Sequence, residues 1–355
     1  MDPRPGDAKR LLTYWLSWPV LILVPPAVVF SAVLVWAYPL ASALAVIPAA
    51  LVLAVLLRLE RTEPQRWTIH LHALAWGAAV AGVVAGVVNT LVTGFCGDAA
   101  ASAISAPLVE ELVKGLGVWW AYRMRLLRSP LDAVVHAGII GCGFALVENQ
   151  TYFADSADSG NLLVEFISRG VALAFMHPFL TGWTGLAVGL ALRARRGGVL
   201  VVWGMTVAAA LHALWNVTAL DAVSADPGAL QTFTPLFFVT CLVLAFAFLV
   251  VHVVRGQRLY RTVLPEVYAR YGLDPRDCAM FADWEAARRV RRDAGARRAE
   301  LERLNSAVLR ILEHHRRPGR PTDEGLRSEF LAARNAYRTT PSPDRFTSPL
   351  STTSH

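Results

Sequence analysis

Long apolar runs separated by short charged clusters fill the first 254 positions of this chain. No Asp, Glu, Lys or Arg lies between Arg10 and Arg58, and none between Arg66 and Asp98. Such stretches exceed the ~20 apolar residues needed to cross a bilayer. Read against turn residues, the pattern predicts about eight transmembrane helices, near residues 15–38, 40–57, 73–93, 101–122, 131–153, 169–192, 199–220 and 234–254. Pro39 suits a hairpin between the first two spans. Pro25, Pro26 and Pro48 are tolerable inside membrane helices, where neighbours re-satisfy freed backbone groups. A cleaved signal peptide has a short apolar core, whereas residues 15–57 suffice for two spans, so they are read as mature structure.

After residue 254 the pattern changes. Residues 255–338 read as an Arg-rich, helical cytoplasmic region, with an amphipathic helix over 283–315 whose apolar side carries Leu301, Leu304, Val308, Leu309 and Leu312. From Thr339 onward Pro, Ser and Thr dominate, which predicts a disordered tail over 339–355. With residues 1–14 as a cytoplasmic N-terminal tail and 15–254 as the membrane domain, the expected fold class is all-α. It is a polytopic membrane helix bundle with a basic, partly helical tail.

Composition agrees: 55% hydrophobic residues, 17% charged residues and a mean hydropathy of +0.42 exclude an ordinary soluble domain. From Arg255 onward there are 20 Arg against 13 acidic residues, so the whole net charge of +7 lies in the tail. A basic tail beside the last span suits the anionic lipid of an inner leaflet. No groove-reading motif or zinc-finger spacing accompanies it, so nucleic acid is not expected; a partner protein at the tail is. Cys96, Cys142, Cys241 and Cys278 form no CxxC and imply neither a disulfide framework nor a zinc site.

The loops supply an orientation, because cytoplasmic loops gather Lys and Arg. Basic clusters stand at Lys9/Arg10, Arg58/Arg61/Arg66, Arg123/Arg125/Arg128, Arg193/Arg195/Arg196 and Arg255/Arg258/Arg261. The intervening loops carry Asp98, Asp155/Asp158 and Asp221/Asp226. The expected location is the cell membrane, multi-pass, with both termini cytoplasmic. Gly82/Gly86, Gly185/Gly189 and Gly138/Gly141/Gly143 would let helices approach closely, which is packing rather than chemistry.

An ionisable group inside a span costs about 2.5–3.5 kcal/mol on insertion scales, so each needs a partner or a function. The fourth span reads Glu110-Glu111-Leu-Val-Lys114, two adjacent carboxylates with a lysine one turn on from both. Lys9 and Lys114 are the only lysines beside 32 arginines, as if a compact ammonium were wanted here. The plain alternative is an ion pair that locks two helices. The fifth span brings Phe144-Ala-Leu-Val-Glu148-Asn149, the sixth Phe175-Met-His177-Pro-Phe-Leu-Thr181, and the seventh His212-Ala-Leu-Trp-Asn216, whose i,i+4 spacing puts imidazole and carboxamide on one face. At 1.5 Å per residue, Glu110, Glu148, His177 and His212 fall roughly 18, 10, 12 and 14 Å below the outer ends of their helices. Four spans can thus deliver them to one level.

Peptide hydrolysis needs a base to activate water and donors to stabilise the oxyanion. Glu110 or Glu111 fits the base, His177 could position the water, and His212 with Asn216 could hold the oxyanion. Lys114, Glu148 and Asn149 would support them. Glu148, His177 and His212 also offer the three protein ligands of a catalytic zinc. HExxH is absent, so dependence on a divalent metal such as zinc stays open.

Glu110-Glu111-Leu-Val-Lys114, followed in order by Phe144-Ala-Leu-Val-Glu148-Asn149, His177 and His212-Ala-Leu-Trp-Asn216, resembles the motif series of the PrsW family of intramembrane proteases. The resemblance covers about residues 94–217, leaving the first two spans and the tail outside. That family is similar to the CAAX prenyl proteases and bacteriocin-processing enzymes, in which paired glutamates and histidines of a membrane cavity perform proteolysis. The resemblance implies an intramembrane endopeptidase acting on a single-span membrane protein, such as an anti-sigma factor. Two other classes use similar parts: a proton-coupled transporter, and a membrane adaptor whose polar groups only join helices. Broken helices near the motifs, which would favour a transporter, are not expected.

Overall fold

The structure, a computed structural model, describes residues 13–60, 65–127, 130–192, 197–223, 251, 264–271, 297–315 and 323–340. Among the described residues all regular structure is helical. The chain divides into two compact units, one within Arg4–Ala245 and one within Phe246–His355.

In the first unit α1 (Trp18–Ala37) and α2 (Pro39–Leu59) meet at Tyr38. Its hydroxyl donates to Asp158 Oδ2 at 2.6 Å, pinning this corner to the end of the helix Pro130–Asp158. Next come α3 (Trp67–Cys96), with a π-helical turn at Trp76–Ala81, and α4 (Ala106–Arg123), entered through a π-helical turn at Ala101–Ser105. α5 (Pro130–Asp158), α6 (Met176–Ala191) and α7 (Gly197–Val223) follow. Pro39 and Pro130 open α2 and α5, where the missing N–H has no intrahelical partner to lose. Gly97, at φ 85, ends α3 in a left-handed conformation that glycine adopts without penalty.

α5 is the centre of the unit and packs against α6, α2 and the π-helical turn of α3. Its apolar stretch is 67% buried, against 11% for α1, whose Trp18, Leu21, Val28 and Trp36 point outward as lipid-facing side chains do. Glycines on and beside α5 make the close packing possible. A Cβ on Gly77 would lie 1.9 Å from the Ile140 carbonyl oxygen, and one on Gly141 would lie 2.7 Å from that of His177.

Six helical stretches among the described residues are long and apolar enough to cross a membrane: α1, α2, α3, α5, Leu162–Ala191 and the greater part of α7. α4 is not among them because Glu110, Glu111 and Lys114 interrupt its apolar run, yet it packs against α5, α6 and α7. The expected eighth span, 234–254, lies outside the described residues apart from Val251.

Two boundaries differ from expectation in ways that matter. α5 continues to Asp158, so Glu148 lies some 15 Å inside its end, deeper than the roughly 10 Å expected. The expected span 169–192 is broken: a short helix (Leu162–Glu165) and a π-helical segment (Phe166–Ala172) stop at Leu173, and α6 starts afresh at Met176. Pro178 falls in the first turn of α6, where its missing N–H has no intrahelical partner to lose, so the sequence suits a fresh helix start there.

A second polar layer lies where α2 and α3 meet the start of α5. Tyr14 Oη is 3.2 Å from His136 Nε2, Ser17 Oγ is 3.1 Å from His72 Nε2, and His70 Nε2 is 2.8 Å from Glu60 Oε2. Burial pushes the Glu60 carboxyl above its usual range, although His70 pulls the other way.

The second unit contains α8 (Leu264–Arg270), α9 (Arg298–His315) and α10 (Glu324–Thr339). Leu301, Leu304, Val308 and Ile311 of α9 are buried, and α9 packs against α10. Phe330 of α10 is buried too, edge-on to Tyr268 with ring centroids 5.7 Å apart. Asp323 caps α10 by accepting from the Gly325 and Leu326 amides, and Arg310 pairs with Glu329. Residues 283–296, the side chains of Leu309 and Leu312, residues 341–355, Cys241 and Cys278 lie outside the described residues. Cys96 is exposed and Cys142 buried.

Candidate active site

On α4, helical spacing alone brings Lys114 over both carboxylates. Its Nζ lies 3.1 Å from Glu110 Oε2 at i,i+4 and 2.9 Å from Glu111 Oε1 at i,i+3. The third contact comes from α6, where His177 Nδ1 lies 3.2 Å from Nζ. The Phe144 ring of α5 lies beneath the ammonium at 3.6 Å. Glu111 and Lys114 are fully buried, and Glu110, His177 and His212 are at most 4% exposed. Each of these charges therefore depends on its neighbours rather than on water.

Glu111 is committed through both oxygens. Oε1 takes Lys114 and faces His212 Nδ1 of α7 at 3.3 Å, while Oε2 accepts from Thr181, one turn after His177, at 3.1 Å. Glu110 uses Oε2, which lies 3.9 Å from His212 Nδ1 as well as near Lys114. The His177 and His212 rings meet edge to face with centroids 5.4 Å apart. Donor atoms of Glu110, Glu111, His177 and His212 all lie within 4.8 Å of one another.

The far edge of His177 faces Glu148 of α5, Nε2 to Oε2 at 2.6 Å. Arg169, from the π-helical segment before the break, donates from Nη2 to the same oxygen at 2.5 Å and from Nε to Asn149 Oδ1 at 3.2 Å. Here the site becomes accessible, because the side chains of Arg169 and Glu148 are 17% and 19% exposed. Asn216 turns away from the group; its Nδ2 donates to the Ser102 carbonyl at 2.8 Å and ties α7 to the turn that leads into α4.

The structure thus brings Glu110, Glu111, His177 and His212 together with Lys114 at their centre. Glu148 lies behind His177 rather than with the donor group, so the cluster that can hold a metal differs from the set Glu148, His177 and His212 that spacing suggested. The reason is the direction of His177, whose ring separates Glu148 from Lys114. Two carboxylates and two imidazoles are ligand types that a catalytic divalent ion takes, and these residues fit one. Sequence reasoning assigned no role to Arg169 or Thr181. Arg169 is the only cation between Leu162 and Ala191, and Thr181 stands four residues after His177; both signals were present in the chain.

No curated protein and no solved structure matches the chain. A family model described as PrsW family intramembrane metalloprotease matches residues 64–251, more than half of the sequence, and contains every residue of the site. This multi-pass membrane protein belongs to the PrsW family of intramembrane metalloproteases.

Proposed function

We propose that the chain cuts single-span membrane proteins, anti-sigma factors among them, at the site formed by Glu110, Glu111, His177 and His212. The observation that carries this reading is the convergence of four buried donor side chains from three helices to within 4.8 Å. Among the described residues Glu110 commits only Oε2, which leaves Oε1 to accept a proton from water. Glu111, held by Lys114, His212 and Thr181, keeps the group in place. His212 lies beside both carboxylates, where it can donate to an oxyanion or to a leaving amine. A divalent ion such as zinc, bound by this donor set, would supply Lewis acidity.

The basic loops support a cell-membrane location with both termini cytoplasmic, which puts Arg169 and Glu148 toward the outer face. The basic tail is suited to anionic lipid or to a partner protein. Full-length protein reconstituted in liposomes with a single-span substrate tests the catalytic assignment. Wild type should cleave it, and Glu110→Gln should lower turnover by about 10²–10⁴-fold. Cleavage at the wild-type rate by the Glu110→Gln, Glu111→Gln double variant would end the proposed role of the pair.

A further inference from the structure

Lys114 has three N–H donors and no acceptor, and its three partners are Glu110 Oε2, Glu111 Oε1 and His177 Nδ1. An atom that faces an ammonium at 3.2 Å must offer a lone pair, so Nδ1 of His177 is the bare nitrogen. In a neutral imidazole the proton is then on Nε2, and Nε2 faces a carboxylate oxygen of Glu148 at 2.6 Å. Two independent contacts, one on each edge of the ring, therefore require the same tautomer.

What holds Glu148 to that task is Arg169. Its Nη2 shares Glu148 Oε2 with His177, its Nε is fixed by Asn149, and its guanidinium carbon lies 3.7 Å from the centroid of the Tyr152 ring. Glu165, one turn earlier on the same segment, adds a contact at 3.8 Å. Without that clamp a carboxylate 19% exposed has water as its alternative partner, and His177 Nε2 loses the acceptor that orients the ring. Arg169 reaches the site from the far side of the break at Leu173–Phe175, so its placement is independent of the helix that carries His177.

We propose that Arg169 is a positioning residue of the active site: it clamps Glu148 and, through the bond between His177 Nε2 and Glu148, holds the ring so that Nδ1 turns its lone pair to the donor group. Its catalytic consequence rests on the reading of Glu110, Glu111, His177 and His212 as the protease site; the clamp on the ring does not.

The test uses full-length protein with ¹⁵N-labelled histidine in nanodiscs, the His177 ring signals being those lost in His177→Gln. Wild type should show one Nε2–H tautomer, with its Nε2 proton far downfield because of the short bond to Glu148. Arg169→Gln should keep that tautomer, which Lys114 also requires, but move the Nε2 proton upfield as the bond to Glu148 lengthens, and lower kcat by about 10–100-fold with KM little changed, the usual cost of removing the partner of a ligand histidine. Arg169→Lys, which still puts a cation on Glu148, should recover most of both. A wild-type Nε2 proton signal in Arg169→Gln overturns the proposal, as does an Arg169→Lys variant that falls as far as Arg169→Gln. Should Arg169→Gln not assemble, Glu148→Asp carries the test, since a carboxylate one methylene shorter must also lengthen that bond. A wild-type protein that cleaves no substrate would refute the protease reading, and the Nε2 proton signal would still decide the role of Arg169.

Discussion

Gly141→Ala tests whether helix packing sets the position of His177. The Cβ introduced would lie 2.7 Å from the His177 carbonyl oxygen and 2.8 Å from its carbonyl carbon and from Pro178 N, all of them backbone atoms with no rotamer to escape into. Ordinary contact begins near 3.4 Å, so α5 and α6 must part by about 0.7 Å. The same movement would stretch the 2.6 Å contact between His177 and Glu148 toward the limit of a hydrogen bond. Overpacking of this kind costs roughly 1–3 kcal/mol, more than the ~1 kcal/mol that alanine gains over glycine inside a helix. Since a 1 Å misplacement can cost ~10²-fold in rate, turnover in proteoliposomes should fall at least ten-fold, alongside a lower melting temperature in detergent. Gly182→Ala on α6 is the control, because nothing lies within 4 Å of its added methyl; it should keep full turnover and melt no lower than wild type. Wild-type turnover and stability in Gly141→Ala would refute the idea that the α5–α6 distance governs the site.

Lys114→Met should destabilise the metal-free protein by about 3–5 kcal/mol, because it leaves two buried carboxylates without their shared cation, and Lys114→Met with Glu111→Gln should recover part of that loss in thermal unfolding. Metal removal should abolish cleavage, and readdition of a divalent ion should restore it; activity that persists after exhaustive chelation with no metal detectable by elemental analysis would argue against the donor group as a metal centre. Glu60 gives a pH effect of defined sign: burial raises its folded-state value above the unfolded one, so its contribution to stability is full below the ordinary glutamate value and is lost as pH rises through the raised one. Glu60→Gln should therefore gain on wild type in melting temperature as pH rises through that window, and a difference that does not change with pH would contradict this account.

The local parts of the site were legible because they follow from helical geometry. Residues three and four apart share a face, so the contact of Lys114 with both glutamates was readable from spacing, and loop charges with 1.5 Å per residue brought four spans to one level. What was not legible depended on the backbones of different helices. Gly141 looked like one small residue among several, and only its approach to the His177 carbonyl shows that packing and chemistry meet there. Asn216 shares the face of His212, yet it bonds the Ser102 carbonyl, a partner from another helix that no spacing within α7 could reveal. The break before α6 was not legible from Pro178, since α1 and α2 run unbroken through Pro25, Pro26 and Pro48. α4 fails an apolar count because of Glu110, Glu111 and Lys114, the residues that His177 of α6 and His212 of α7 face.

The position of Lys114 also bears on how the site accepts a metal. Its ammonium lies 2.9–3.2 Å from donor atoms of Glu110, Glu111 and His177, whereas a zinc ion would lie about 2.0–2.2 Å from nitrogen or oxygen ligands. Glu110, Glu111, His177 and His212 would hold an ion, and Lys114, which already engages three of them, would repel it in a buried, weakly polarisable site. The ammonium and an ion would therefore compete for one set of donors, Glu110, Glu111 and His177.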